Sequence, residues 1–137
     1  MKIELNRLNN AVHFEAKGGG DVKVHIDGSP EIGGEGLGVR PMELVLMALG
    51  SCSSLDLISI LKKQRQNVVD FSVDVNGERT DTVPAVFSKI HMLFKLSGDL
   101  DEQKVAKAAE LAVKKYCSVH DMLAAGGVEI TYAVEIN

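Results

Sequence analysis

The chain has 137 residues, of which 45% are hydrophobic and 25% are charged, and its formal net charge at pH 7 is −4. These values are typical of one soluble domain spanning residues 1–137, and a chain of this length needs no disulfide framework for stability. The mild acidity argues against a nucleic-acid-binding protein, which would show a basic patch. The aromatic content of 4% argues against a stacking platform for bases or sugars.

The first forty residues predict a small antiparallel sheet followed by a loop. Residues 2–6 and 11–16 alternate loosely between apolar and polar side chains on either side of a turn-like segment at 8–10, and residues 22–26 alternate strictly. Residues 29–38 contain four glycines and predict a loop long enough to carry function or to cover a site. The N-terminal residues have no apolar signal core, which predicts a cytoplasmic protein.

A long apolar helix is predicted to begin at Pro41, where proline is well tolerated, and to run to about Gln64. Apolar side chains lie on all sides of this helix. A membrane span is the alternative interpretation, but residues 52–54 and Asp56 interrupt the apolar run, and no other segment resembles a span. The pattern therefore predicts a central helix that is buried in the domain or in a dimer and that contacts no membrane.

The second half of the chain predicts strands and helices that complete an α+β fold with mainly antiparallel pairing. Residues 76–84 are polar and turn-like. The remaining patterns predict, in chain order, strands over 69–75 and 86–96, a turn at 97–99, helices that begin at Asp101 and Cys117, and a final strand over 128–136.

Cys52, in the middle of the apolar helix, is the first candidate for chemistry. A small hydrophobic core residue is its simplest interpretation, since free cysteines are often buried. Small residues surround it and allow close approach of neighbouring structure, and Asp56 lies four residues on, on the same helical face. A carboxylate in an apolar helix needs a partner, and near Cys52 it would disfavour the thiolate unless a cation lies between them.

Cys117, the other cysteine, follows one predicted helix and begins the next, so free backbone N–H groups could favour its thiolate. His120 lies three residues on, although a solvent-exposed or capping histidine is its simpler interpretation. One Cys-x-x-His pair is a weak metal signal, and zinc would need further ligands, such as Cys52 and Asp56, brought close by the fold. We therefore predict no metal and no cofactor. The spacing of the two cysteines says nothing about their contact.

Four segments in order resemble the OsmC/Ohr family, most strongly its YhfA-like branch. They are residues 40–44 (RPMEL), 50–52 (GSC), 83–91 (VPAVFSKIH) and 115–119 (KYCSV), and the resemblance covers nearly the whole chain. It implies an OsmC/Ohr-like α+β fold, with antiparallel sheets around a long buried central helix. It also implies an intertwined homodimer with sites at the subunit interface.

The resemblance further implies a redox activity in oxidative stress defence. In the peroxidase members, a helix thiolate attacks an organic hydroperoxide and becomes a sulfenic acid. A second cysteine then condenses with it to a disulfide, and a dithiol reductant resets the pair. Carried over by position, Cys52 is the peroxidatic thiol and Cys117 the resolving thiol.

The sequence departs from the peroxidases in the groups that would assist the thiolate. The peroxidases use an arginine in an early Gly-rich stretch, and Gly20 stands there in this chain. Their partner glutamate stands ten residues before the cysteine, where this chain has Met42; Glu43 follows, about 100° further around the helix. Arg40 and Arg79 are the remaining arginine candidates.

Three functional hypotheses stay open at this point. The first is a peroxidase for organic hydroperoxides in which Cys52 and Cys117 react and Glu43 and Arg40 assist. The second is a protein without peroxidase activity that binds a small apolar or thiol-reactive ligand in the same interface pocket. The third is a dimer scaffold with two inert core thiols.

Overall fold

Six strands and three α-helices make up the chain in a computed structural model that describes all residues, Met1–Asn137. A 3-10 turn covers Pro30–Ile32 and a π-helical segment covers Ala112–Tyr116. The elements in chain order are β1 (Glu4–Arg7), β2 (Phe14–Lys17), β3 (Lys23–Ile26), α1 (Pro41–Lys63), β4 (Asn67–Arg79), β5 (Phe87–Asp99), α2 (Glu102–Leu111), α3 (Ser118–Ala125) and β6 (Glu129–Ile136). The predicted α+β class is confirmed.

The residues divide into two structural units, Met1–Val45 and Leu46–Asn137. In the first unit, β1, β2 and β3 form an antiparallel sheet in that order, as the alternating patterns predict. The side chain of Asn9 shapes the turn between β1 and β2, because its Oδ1 accepts hydrogen bonds from the N–H groups of Ala11 and His13.

The glycine-containing loop after β3 is organised by one buried carboxylate. Asp27 is 2% exposed, and its two oxygens accept hydrogen bonds from the N–H groups of Gly28, Glu35 and Leu37. The N–H of Glu35, followed by that of Leu37, lowers the pKa of Asp27. The loop is therefore held by hydrogen bonds to the Asp27 side chain together with backbone hydrogen bonds, such as that from the N–H of Gly34 to the carbonyl of Ser29.

In the second unit, β5 lies between β4, to which it is antiparallel, and β6, to which it is parallel. Both β4 and β5 are longer than predicted. Residues 97–99, predicted as a turn, belong to β5 and pair with β4 around a β-bulge. Gly98 has a φ of +136°, and a side chain there would collide with the carbonyl of Asn67, so the glycine serves close strand pairing.

The second unit buries one face of α1 and one face of its sheet. Gly50 permits the contact of α1 with β4, since a Cβ at this position would lie 2.7 Å from Cγ2 of Val75. The buried side chains of this unit are Leu49, Ser53, Leu57, Leu61, Phe87, Ile90, Met92, Phe94, Leu96, Val105, Ala108, Ala109, Ala112, Val113 and Cys117.

Within one chain α1 is not buried on all sides. Its buried residues Leu49, Ser53, Leu57 and Leu61 recur every four positions and therefore form one face. A second face, which we call the exposed stripe, consists of Met47, Ser51, Leu55, Ile58 and Lys62. Leu55 of this stripe is 71% exposed, which is unusual for a leucine in an apolar helix.

The same helix is long and apolar enough to cross a membrane by length and composition alone. Only 33% of its most apolar 18-residue window is buried within the chain. Core helices of soluble proteins share both properties, so this observation is weak evidence for a membrane span.

Candidate thiol site

The two cysteines lie together in the second unit. Cys52 is half-buried in α1, whereas Cys117 is 1% exposed at the junction between the π-helical segment and α3. The thiol of Cys52 is close enough to contribute to a raised pKa of the Cys117 thiol, and both thiols are free. One accessible sulfur therefore adjoins one enclosed sulfur, a contact that the sequence spacing does not reveal.

The environment of Cys117 acts on its thiol in both directions. Burial raises the pKa most strongly, and the neighbouring Cys52 thiol raises it further. The hydroxyl of Ser53 and the backbone N–H of His120, which donates to Sγ at 3.3 Å, lower it. Cys117 is the N-cap of α3, as its predicted position at a helix start indicated. The net effect is nevertheless a raised pKa, because burial outweighs the N–H contact.

Ser53 is a buried neighbour of this thiol that the sequence analysis did not select. It is 0% exposed, and its Oγ forms no hydrogen bond of normal geometry, although it lies near enough to Cys117 to lower the pKa of that thiol. By contrast, the hydroxyls of Ser51 and Ser54 donate to the carbonyls of Met47 and Gly50, each at 2.6 Å. Of these three serines, only Ser53 has a buried hydroxyl near the Cys117 thiol. The sequence alone does not distinguish Ser53 from the serines beside it.

Arg40 and Glu43, the predicted assisting residues, lie in the first unit and interact with each other. Oε2 of Glu43 accepts a hydrogen bond of 2.8 Å from the backbone N–H of Arg40, which caps the start of α1. Gly20, the position of the missing arginine, is exposed, and a Cβ there would meet nothing within 4 Å. The catalytic roles of Arg40 and Glu43 stay predictions.

Arg79, the other arginine candidate, is engaged at the far end of β4. Its Nε donates a hydrogen bond of 2.8 Å to the carbonyl of Ala85 and so holds the connection between β4 and β5. The groups that act most strongly on the Cys117 thiol include no cation.

The remaining candidates do not gather around the thiols as metal ligands. His120 is turned toward Asp121, with 3.2 Å between Nδ1 and Oδ1, and Asp56 lines a separate cavity. No group of three or more His, Cys, Asp or Glu side chains could hold a metal ion.

The fold and the motifs are shared with known proteins. The family described as OsmC-like protein matches residues 33–133. Protein YhfA of Escherichia coli strain K12 is 46% identical over 97 residues, which are 70% of this chain and 72% of YhfA.

Solved structures agree over nearly the full length. A hypothetical protein from Aquifex aeolicus VF5 has a TM-score of 0.82 and 31% identity, with 99% of this chain and 96% of that chain covered. The organic hydroperoxide resistance protein OhrB of Bacillus subtilis has a TM-score of 0.67 and 18% identity, with 99% and 96% covered. The second similarity is one of fold.

Proposed function

The chain belongs to the OsmC-like protein family, and from this premise we propose that it is a thiol-dependent peroxidase that reduces organic hydroperoxides in the cytoplasm. The observation that carries the proposal is the pairing of a half-buried Cys52 with an enclosed Cys117. The structural neighbours that are named organic hydroperoxide resistance proteins support the choice of substrate. We propose no metal, cofactor, nucleic acid or membrane as a partner.

The more accessible Cys52 reacts first. Its thiolate attacks one oxygen of the hydroperoxide, the O–O bond breaks, and the released alkoxide takes up a proton and leaves as an alcohol. Cys52 is then a sulfenic acid. Cys117 attacks its sulfur, the S–O bond breaks, and the hydroxide leaves as water after protonation, so that a disulfide joins the two residues. A dithiol reductant restores both thiols by two successive exchanges and becomes a disulfide itself.

The interaction between the two thiols determines the order of these reaction steps. The thiol of Cys52 raises the pKa of Cys117, in addition to the larger effect of burial, so Cys117 remains protonated while Cys52 is reduced. Conversion of Cys52 to a neutral sulfenic acid removes both the contact with the Cys52 thiol and the smaller charge effect that raise the pKa of Cys117. Cys117 then ionises more readily at the moment when its attack is needed.

We further propose a homodimer formed through the exposed stripe of α1. The stripe presents Met47, Leu55 and Ile58 to solvent, with exposures of 50%, 71% and 41%. A contiguous apolar face on the central helix of a small protein marks an interaction surface. A second copy of the same helix would match this face in length and chemistry, and the α1 residues of both sites would then lie at the interface.

The test is the consumption of cumene hydroperoxide with dithiothreitol present, for the parent and for the variants Cys52→Ser and Cys117→Ser. We expect C52S to lose all turnover. In a parallel assay without dithiothreitol, C117S is expected to consume about one equivalent of peroxide per chain and then to hold Cys52 as a sulfenic acid that a dimedone probe captures. Equal turnover of C52S and the parent would sink the proposal.

A second candidate function is the binding of a small apolar or thiol-reactive ligand without peroxide turnover. It is favoured by the absence of a cation among the groups that act most strongly on Cys117, and by the engagement of Arg79 at Ala85. A small molecule that co-purifies with the protein, together with no peroxide consumption, distinguishes this function from the first.

A further inference from the structure

A cavity of about 360 Å³ is lined by residues of α1 and of the segment that precedes Cys117, and it has no part in the function proposed above. Besides residues in the second half of α1, the lining includes Leu111 at the end of α2 and Tyr116 at the end of the π-helical segment that precedes Cys117. Such segments frequently mark functional sites. The volume is at the lower end of small-molecule sites, which span about 300–1,000 Å³. The lining residues are Asp56, Ser59, Ile60, Lys63, Gln64, Leu111 and Tyr116.

The cavity carries one negative and one positive side chain that do not neutralise each other. Asp56 and Lys63 are two helical turns apart on one face of α1, and neither belongs to any ion pair of the protein. Helical side chains tilt toward the N-terminus, so the long Lys63 side chain extends back toward Asp56. The two charges therefore flank an open space rather than each other.

A neutral group on the cavity wall also lacks a partner. Oε1 of Gln64 is buried and accepts no hydrogen bond. A buried carbonyl oxygen without a donor is unfavourable by about 1–3 kcal/mol, and such groups are rare in native structures. This oxygen is shielded from solvent, so a ligand with N–H groups would reach it only after the Gln64 side chain turns toward the cavity. Tyr116, also on the lining, is 52% exposed, and Nζ of Lys115 lies 5.4 Å from the centre of its ring.

The cavity begins one helical turn beyond the reactive cysteine of α1. Asp56 follows Cys52 by four residues, which places the two side chains on the same face of α1 with a rise of about 6 Å between them. Because the Asp56 side chain tilts toward the N-terminus of α1, its carboxylate points in the direction of Cys52. A molecule that pairs with Asp56 and Lys63 and extends past Asp56 toward the start of α1 would thus bring an atom to the Cys52 sulfur.

We propose that this cavity binds a small zwitterionic thiol or its disulfide, such as cysteine, cystine or a short cysteine-containing peptide, and that Cys52 exchanges with it. The ammonium group of the ligand pairs with Asp56, and its carboxylate pairs with Lys63. In the exchange, the Cys52 thiolate attacks the disulfide of the ligand and the S–S bond breaks. One half stays on Cys52 as a mixed disulfide, and the other half leaves as a thiolate that takes up a proton.

This inference adds a second exchange partner to the proposed peroxidase, and it rests on the proposed reactivity of Cys52 but not on peroxide turnover.

The test measures the formation of the mixed disulfide at Cys52 by intact-mass spectrometry, in a Cys117→Ser background that cannot resolve it. Three disulfides serve as probes: cystine, which is zwitterionic at both ends, cystamine, which carries only ammonium groups, and bis(2-hydroxyethyl) disulfide, which is neutral. For each cavity variant, the rate with a given probe is compared with the rate of the same probe on the Cys117→Ser protein that carries no other substitution.

Charge-specific effects are expected from single substitutions in the cavity. Asp56→Asn slows cystine and cystamine about fivefold relative to the neutral disulfide, because it removes the partner of the ammonium group. The rate of the neutral disulfide reports the separate effect of the Asp56 charge on the Cys52 thiolate. Lys63→Gln slows cystine by a similar factor but does not slow cystamine. Lys62→Gln, at the neighbouring lysine outside the cavity, changes none of the three rates.

Several results would overturn the inference. The first is an unchanged cystine rate in both cavity variants. The second is an equal slowing of all three probes by D56N, which would point to a general effect on Cys52. The third is a Cys52 that reacts with none of the probes. The neutral probe reports any general change in the access to Cys52 or in its reactivity. The assay contains no peroxide, so a protein without peroxidase activity could still confirm the cavity, and a working peroxidase could still fail here.

Discussion

Cys52 and Cys117 lie side by side but differ in access to solvent, since Cys52 is half-buried and Cys117 is 1% exposed. Burial, followed in the same direction by the Cys52 thiol, raises the pKa of Cys117 above its ordinary value of about 9.0. The pair is therefore asymmetric before any oxidant arrives, and in the proposed function this asymmetry makes Cys52 the thiol that we expect to react first.

The asymmetry predicts the order of alkylation by iodoacetamide. At pH 8, Cys52 is expected to be modified first, and Cys117 at least roughly tenfold more slowly, because it is both enclosed and protonated. The rate at Cys117 should continue to rise above pH 9.0, since a raised pKa keeps the reactive thiolate scarce until the solution is more alkaline. Timed quenching and peptide mapping give both rates. Faster labelling of Cys117 than of Cys52 would reverse the assigned roles.

Ser53→Ala is predicted to slow disulfide formation. The hydroxyl of Ser53 lowers the pKa of the Cys117 thiol, so its removal leaves Cys117 harder to ionise and slower to attack the oxidised Cys52. A full neutral hydrogen bond is worth about 0.5–1.5 kcal/mol, and the Ser53 contact lacks normal geometry, so the resolving step should slow by less than about tenfold. The rate is measured by stopped flow after one equivalent of peroxide.

The matched control for S53A is Ser54→Ala. Ser54 is the next residue, but its hydroxyl donates to the carbonyl of Gly50 and not to a thiol. We expect S54A to resolve at the parental rate. The overall stability of S53A should not fall, because the substitution removes a buried hydroxyl without a partner of normal geometry. If S53A and S54A resolve equally fast, the contact with Cys117 has no role in the resolving step.

The exposed stripe of α1 predicts that Leu55→Asp produces a monomer. A buried leucine stabilises an interface by about 1.5–3 kcal/mol, and a twofold interface contains the residue twice. Size-exclusion chromatography with light scattering should show about half the parental mass. Val69→Asp is the control, since Val69 is 67% exposed in β4 and lies outside the stripe. A parent that is already monomeric, or an L55D variant that stays dimeric, would contradict this interface.

The sequence predicts local elements well where the cause is local. The strict alternation at residues 22–26 and the capping residue Asp101 lead to β3 and α2, as expected. It predicts strand ends poorly, because Gly98 and its neighbours have the composition of a turn and yet form a bulge against Asn67. The register of β5 against β4 decides this, and register depends on partners distant in the sequence.

The candidate site also combines features that follow from the local sequence with features that depend on tertiary packing. The neighbours of Cys52 along α1 and the position of Cys117 at a helix start follow from the sequence. The contact between the two thiols and the buried hydroxyl of Ser53 depend on tertiary packing, as does the engagement of Arg79 by the carbonyl of Ala85. The family resemblance implied the approach of the cysteines, but neither spacing nor composition could supply it.

The last prediction concerns Asp27 and the loop that follows β3. Three backbone N–H groups donate to its buried carboxylate, and the N–H of Glu35 is the largest cause of its lowered pKa. A carboxyl whose pKa is lower in the folded state than in the unfolded state stabilises the fold above its ordinary pKa of 3.8, and this contribution is lost as the pH falls through the folded-state value. The free energy of unfolding of the parent should therefore decrease with acidification in this range.

Asp27→Asn keeps the shape of the side chain but removes its charge, so it should be less stable than the parent at pH 7. The difference between the two proteins should shrink toward pH 3, as measured by urea unfolding at each pH. A difference that does not change with pH would show that the carboxylate charge does not hold the loop.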